Sequence, residues 1–263
     1  MNTESLIASG LAVGACVLVL WLISIKLRDV SIADIWWGPG FALIAGVIWA
    51  VEAPESPRFF AAAGVLTLWA LRLGVYLGRR NLGHDEDYRY QAMRGDSPHF
   101  WWTSIYKVFL LQGAIQLVVA LPLFVMTSSD SPLSLWDIVG ITLALAGVVT
   151  EAVADQQLSR FKASPGTEGE VMDKGLWGYS RHPNYFGNAL MWFGIAWLAL
   201  AGGGPWWSAL GPAFMLFLLL KVSGVSMLES TIAERRPAYR RYKQEVSAFI
   251  PWPRKRSEGE GSL

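Results

Sequence analysis

The chain reads as an all-α polytopic membrane bundle of about seven transmembrane helices, with the N-terminus outside and the C-terminus cytoplasmic. Three features lead there. Residues are 53% hydrophobic and only 16% charged, with a mean hydropathy of +0.34, whereas soluble domains carry about 25% charged residues. Apolar runs close to the roughly 20 residues that cross a bilayer recur along the whole chain. Basic residues gather in alternate connections between those runs, the pattern of the positive-inside rule.

The first run, at about 5–25, follows a start (MNTES) with no basic segment, and it is longer than the apolar part of a leader. It is expected to remain as a transmembrane helix. The second, 34–51, is the weakest because it opens on Asp34 and contains WWGPGF. Runs at 59–77, 108–126 and 133–153 are continuous, and the last of these begins near Asp137, expected to be a solvated interface residue. The sixth is 184–203. The seventh, 206–226, is interrupted at Gly211-Pro212, which packed neighbours can accommodate. Residues 1–253 are expected to form a single domain, with 254–263 a disordered polar tail.

Lys26 and Arg28 follow the first run, and five basic residues, from Arg79 to Lys107, follow the third. Arg160, Lys162, Lys174 and Arg181 occupy the connection before the sixth, and more follow the seventh. The intervening connections hold only Arg58, beside Glu52 and Glu55. The long polar segments 78–107, 154–183 and 227–263 are therefore expected on one, cytoplasmic, face of a cell membrane. Lone Cys16 excludes intrachain disulfides and cysteine-based metal sites. The acidic cluster in GHDEDYRYQAMR (83–94) lacks ligand spacing and is expected to pair with basic segments, so no metal is anticipated. Nucleotide-binding glycine motifs are missing too, and no nucleic-acid partner is expected.

Chemistry concentrates at the start of the sixth run, in YSRHPNYFGN (179–188). Pro183 suits the first turn of a helix, and Tyr179 and Tyr185 suit an interfacial aromatic belt. Belt and cap leave Asn184 and Asn188 unexplained. They share one helix face inside an apolar span, where a lone amide is costly. Arg181 and His182 lie beside a helix N-terminus, a setting that attracts anions, and with Tyr179 they are candidate cofactor contacts, the first two at its phosphate end. One run earlier, Glu151 and Asp155 are also four residues apart, with Arg160 and Lys162 beyond them. Acidic groups at a helix C-terminus oppose its dipole, so they are expected either to bind ribose hydroxyls or to pair with the basic loop. Arg72 and Lys221 lie near span ends and either snorkel to water or join a site. Glu229 shares the face of Lys221.

GLWGYSRHPNYFGNALMWFG (175–194) resembles the C-terminal hallmark of the membrane-embedded steroid 5-alpha-reductase and sterol reductase superfamily. DIWWGPGF (34–41), LWALRLGVYLGRR (68–80), DEDYRYQAMR (85–94), DQQLSRFK (155–162) and SAFIPWP (247–253) resemble one bacterial branch of it, long catalogued as a domain of unknown function. The resemblance covers residues 30–253. It implies NADPH-dependent reduction of a carbon–carbon double bond in a hydrophobic, steroid- or lipid-like substrate, within a bacterial inner membrane. Asn184 and Asn188 then contact the cofactor, Asp155 and Lys162 match ribose- and phosphate-binding positions, and Lys221, Glu229 and Arg235 fall in the last cofactor-binding region. Where steroid 5-alpha-reductases carry Gln-Glu-Leu-Pro and a catalytic tyrosine, this chain has WWGP (36–39) and Trp69. Asp34, Tyr76 and Tyr185 are the substitute catalytic candidates. Membrane methyltransferases share the RHP-x-Y doorway, where it receives S-adenosylmethionine, and a non-catalytic lipid-binding protein is a third reading.

Overall fold

In the computed structural model, which describes residues 1–129, 131–167, 169–222 and 238–255, nearly all regular structure is helical. In chain order these are α1 (Thr3–Leu27), α2 (Ile32–Glu52), α3 (Pro57–Asn81), the short polar α4 (Tyr88–Asp96), α5 (Phe100–Met126), α6 (Leu135–Ala163) and α7 (Pro183–Ala201). α8 (Trp206–Val222) and α9 (Ala238–Glu245) follow. Among the described residues, the one β feature is an isolated bridge between Ser180 and Ser247.

Helices α1, α2, α3, α5 and α6 are each long and apolar enough to cross a membrane. This is the expected all-α polytopic membrane architecture. The remaining two expected spans form α7 and the apolar α8. With 19 residues, α7 is about 28 Å long, close to the hydrocarbon thickness, but its first turns are polar. Residues 256–263, most of the expected tail, lie outside the described residues.

The chain divides into two compact units, Met1–Ile141 with Ile195–Gly211, and Thr142–Gly194 with Pro212–Leu263.

In the first unit, local chemistry sets the helix ends. Asn2 caps α1 by accepting from Glu4 N at 2.9 Å. Ser56 caps α3 ahead of Pro57, a residue whose missing N–H costs nothing in a first turn. α2 runs unbroken through Pro39 despite the backbone bond that proline removes. Its core face, Phe41, Ile44 and Ile48, is buried with Phe59, Leu66 and Trp69 of α3. Phe41 bridges Trp37 and Trp69, at ring-centroid distances of 5.4 and 5.9 Å. Gln116 of α5, fully buried, donates from Nε2 to Trp37 O at 2.9 Å. α5 itself contains a π-helical turn, Ile105–Leu110. Along α1, Ile7, Leu11, Leu18 and Leu22 point outward, an apolar surface suited to lipid and not to water.

Asp137 departs from expectation. Its carboxylate is fully buried and forms a two-point ion pair with Arg58, at 2.7 Å (Nε–Oδ1) and 2.8 Å (Nη2–Oδ2). Arg58 also donates to Ser129 Oγ, to Ser131 O and Oγ, and to Pro132 O. Asp137 accepts from Ser134 N and Oγ, an arrangement of the capping-box kind. The expectation of a solvated residue fails because an acid at a helix start was read without its partner, 79 residues away. Breaking a satisfied buried pair strands one charge. Arg58→Met is expected to cost about 3–5 kcal/mol, read as a lower thermal midpoint in detergent. Arg58→Met combined with Asp137→Leu should recover part of that loss.

Candidate functional site

In the second unit, Gly147 of α6 and Gly187 of α7 bring two helix backbones into contact. A Cβ on Gly187 would lie 2.5 Å from Glu151 N and 2.7 Å from Gly147 O, and one on Gly147 would lie 2.5 Å from Gly187 O. At this separation polar side chains on the next turns meet. Asn188 Nδ2 donates to Glu151 Oε2 at 3.3 Å, and Asn184 Nδ2 donates to Asp155 Oδ1 at 3.2 Å. Both partners step by four residues, so the bonds form two rungs of one ladder. Glu151, Asp155 and Asn188 are buried, at 4, 4 and 5% exposure. The carboxylate fixes which way the Asn188 amide faces. Its Oδ1 is then buried without a hydrogen-bond partner among the described residues, which is costly unless a donor fills the place.

Residues 177–182 are tied to the C-terminal segment. Arg181 N donates to Ser247 O at 2.8 Å, Ser180 Oγ to Phe249 O at 2.7 Å, and Trp252 N to Tyr179 O at 2.9 Å. Tyr242 Oη donates to Trp177 O at 2.6 Å, and Trp177 Nε1 to Ala154 O at 3.0 Å. Burial pushes the Tyr242 hydroxyl well above its ordinary pKa, with the nearby Tyr239 and Asp173 adding to the rise. Arg181, expected at a phosphate, donates from Nη1 to Lys243 O and Val246 O, at 2.8 and 2.6 Å. These carbonyls end α9, where a cation suits the helix dipole. His182 is buried and its ring stacks on Tyr185, with centroids 5.6 Å apart and planes at 4°.

The other candidates scatter. Tyr179, Arg160, Lys162 and Lys221 are exposed. Glu229 and Arg235 lie outside the described residues. In the first unit, Asp34 is bound by two groups of the DEDYRYQAMR segment: Tyr90 Oη donates to Oδ1 at 2.8 Å and Arg89 Nη2 to Oδ2 at 2.7 Å. Tyr76 lies under the Arg72 guanidinium, 5.9 Å from its ring centre. Within the acidic segment, Asp87 caps α4 and binds Arg89 Nε at 2.8 Å, while Glu86 binds Arg94 and accepts from Val30 N. Burial opposes the charge on Asp87, but hydrogen bonds and attraction from Arg89 outweigh it and hold the carboxyl below its ordinary pKa. Burial, reinforced by the Asp34 charge, raises the Tyr90 hydroxyl, so it stays a donor.

Sequence reasoning overlooked Gly147 and Gln157. The signal for the first was present, since Gly147, Glu151 and Asp155 are spaced by four on one helix face. Gln157 Oε1 accepts from Leu176 N at 3.0 Å and anchors the loop before α7. Nothing in the local sequence marks that contact.

The molecule is thus an integral membrane protein of helical-bundle class with a buried polar ladder between two helices. Residues 20–246 match the family described as "Protein of unknown function (DUF1295)", and the chain belongs to that family. It is also 26% identical over 271 residues to an uncharacterised protein of Schizosaccharomyces pombe, a similarity covering 89% of this chain and 76% of that protein. No solved structure matches it significantly.

Gly187→Ala places a methyl group against backbone and is expected to destabilise the protein by about 1–3 kcal/mol, measured by thermal unfolding in detergent. Acid tests the α4 contacts. The folded-state pKa of Asp87 is depressed, so its contribution is present above the ordinary carboxylate value of about 4 and lost as pH falls below it. A pH series of thermal midpoints should show this acid loss in the wild type and a smaller one in Asp87→Asn.

Proposed function

We propose that the chain is a membrane-embedded, NADPH-dependent reductase of a carbon–carbon double bond in a hydrophobic, steroid- or lipid-like substrate. The observation that carries this reading is the ladder, two buried carboxylates paired with the buried Asn188 and the half-buried Asn184, with the Asn188 Oδ1 acceptor unfilled. That set suits the amide and hydroxyl donors of a dinucleotide. Asn184, Asn188, Glu151 and Asp155 would hold its nicotinamide and ribose portions, and the exposed Arg160 and Lys162 at the end of α6 would serve its phosphates. Arg181 takes the role of fastening the entrance through α9. When bound, the cofactor supplies a hydride to an activated alkene.

The resemblance of RHPNY to the sterol reductase superfamily supports the same assignment. Of the three catalytic candidates, Tyr185 is favoured as proton donor to the substrate, because it shares α7 with Asn184 and Asn188 while Asp34 is engaged by Arg89 and Tyr90. The basic segments favour a cytoplasmic entrance, with the N-terminus outside, and the resemblance to a bacterial branch favours the inner membrane of a bacterium.

The test is cofactor binding by the purified chain in detergent. NADPH should raise the thermal midpoint, and S-adenosylmethionine should not. Asn184→Ala and Asp155→Ala should each weaken NADPH binding about tenfold, the equivalent of one lost hydrogen bond of about 1.4 kcal/mol, with affinity measured at a temperature where each variant remains folded, since loss of the rung also lowers its midpoint. Unchanged affinity in both variants would sink the proposal, and stabilisation by S-adenosylmethionine would favour the methyltransferase reading.

A further inference from the structure

A cleft at the end of α1 belongs to neither the ladder nor the entrance fastened to α9. It encloses about 310 Å3 and is lined by Ser24, Ile25, Arg28, Val30, Arg94 and Trp101. Two of those six residues are arginines. Arg94 is held by Glu86 through Nε and Nη2, at 2.9 and 2.8 Å, and its guanidinium lies 5.4 Å from the Phe100 ring centre. The pair fixes the orientation of Arg94 and leaves Nη1 unused by Glu86.

Arg28 is less expected. It ends α1 with φ 56° and ψ 34°, a left-handed conformation that helix ends usually assign to glycine. An arginine there is strained, and it is exposed, with no ion pair among the described residues. Strain retained at a position that presents a charged group to a cavity points to a ligand. Glu86 binds Arg94, and Asp29, whose Oδ1 accepts from Ser31 N at 2.7 Å, also attracts the Arg94 guanidinium. Arg28 is the lining cation that no described carboxylate pairs, and paired guanidinium groups are the natural receptors of phosphate oxygens.

The surroundings say what carries the phosphate. Leu22, Ile23 and Leu27 of α1 are exposed beside the cleft, and α5 exposes Trp101, Trp102 and Tyr106. Trp21 Nε1 donates to Trp101 O at 3.2 Å and joins the two helices there. Aromatic rings and basic side chains at the end of an apolar helix mark the headgroup level of a bilayer. A lipid with its phosphate in the cleft would lay its acyl chains along the apolar surfaces of α1 and α5.

We propose that this cleft binds the phosphate headgroup of an anionic phospholipid between Arg28 and Arg94. The assignment does not depend on the reductase reading.

The experiment titrates the full chain, in neutral detergent, with short-chain phosphatidylglycerol, with phosphatidylcholine of equal chain length, and with inorganic phosphate. Affinity is read by native mass spectrometry and the thermal midpoint. Phosphatidylglycerol should bind at least roughly fivefold more tightly than either of the others, the value of about one basic side chain at a membrane surface. Arg28→Gly removes the charge and relieves the left-handed strain, so its midpoint in detergent alone should match or exceed wild type. Its affinity for phosphatidylglycerol should fall about fivefold. Wild-type affinity in Arg28→Gly, or equal binding of phosphatidylcholine, overturns the site. Inorganic phosphate binding as tightly as phosphatidylglycerol overturns the lipid assignment.

Discussion

Backbone contact between α6 and α7 is the constraint on which the candidate site rests. Inside a bilayer, two apolar helices gain little by leaving lipid for each other, so association depends on close packing and on polar bonds across the interface. Gly147 and Gly187 supply the first by removing the two methyl groups that would hold the backbones apart. The Glu151–Asn188 and Asp155–Asn184 rungs supply the second. Each needs the other. Without the close approach, two buried carboxylates would lose their amide partners in a medium that penalises lone charges.

The YSRHPN stretch divides its work along the same physical lines. Tyr179 and Ser180 bind the C-terminal segment by backbone and hydroxyl groups, and Arg181 supplies donors to the carbonyls left open where α9 ends. His182 turns inward onto Tyr185, and only from Asn184 onward do side chains join the ladder. The polar connection before α7 is therefore chiefly a fastening. The SAFIPWP segment has its counterpart there, since Ser247, Phe249 and Trp252 each meet one residue of the stretch.

Hydropathy made the membrane helices legible, while the caps that set their ends, such as Asn2 and Ser56-Pro57, went unread. The ladder was visible as two i, i+4 pairs because a helix turns polar residues of that spacing onto one face. Which pair faced which was not, because a one-dimensional pattern contains no crossing angle. Asp137 was misjudged, and the partners of Asp34 went unread, for a related reason. A carboxylate near a helix start looks solvated or reactive until its partner is known, and Arg89 and Arg58 stand 55 and 79 residues away. The carbonyls that accept from Arg181 come from the far C-terminal segment, so they could not be read locally.

The Arg58–Asp137 pair also bears on how the molecule is made. Arg58 emerges from the ribosome 79 residues ahead of its carboxylate, at the start of a helix that must enter the membrane. Until α6 arrives, only water, lipid headgroups and then the groups of Ser129, Ser131 and Pro132 are there to satisfy that guanidinium. The complete set of partners of an early helix therefore depends on the synthesis of a late one.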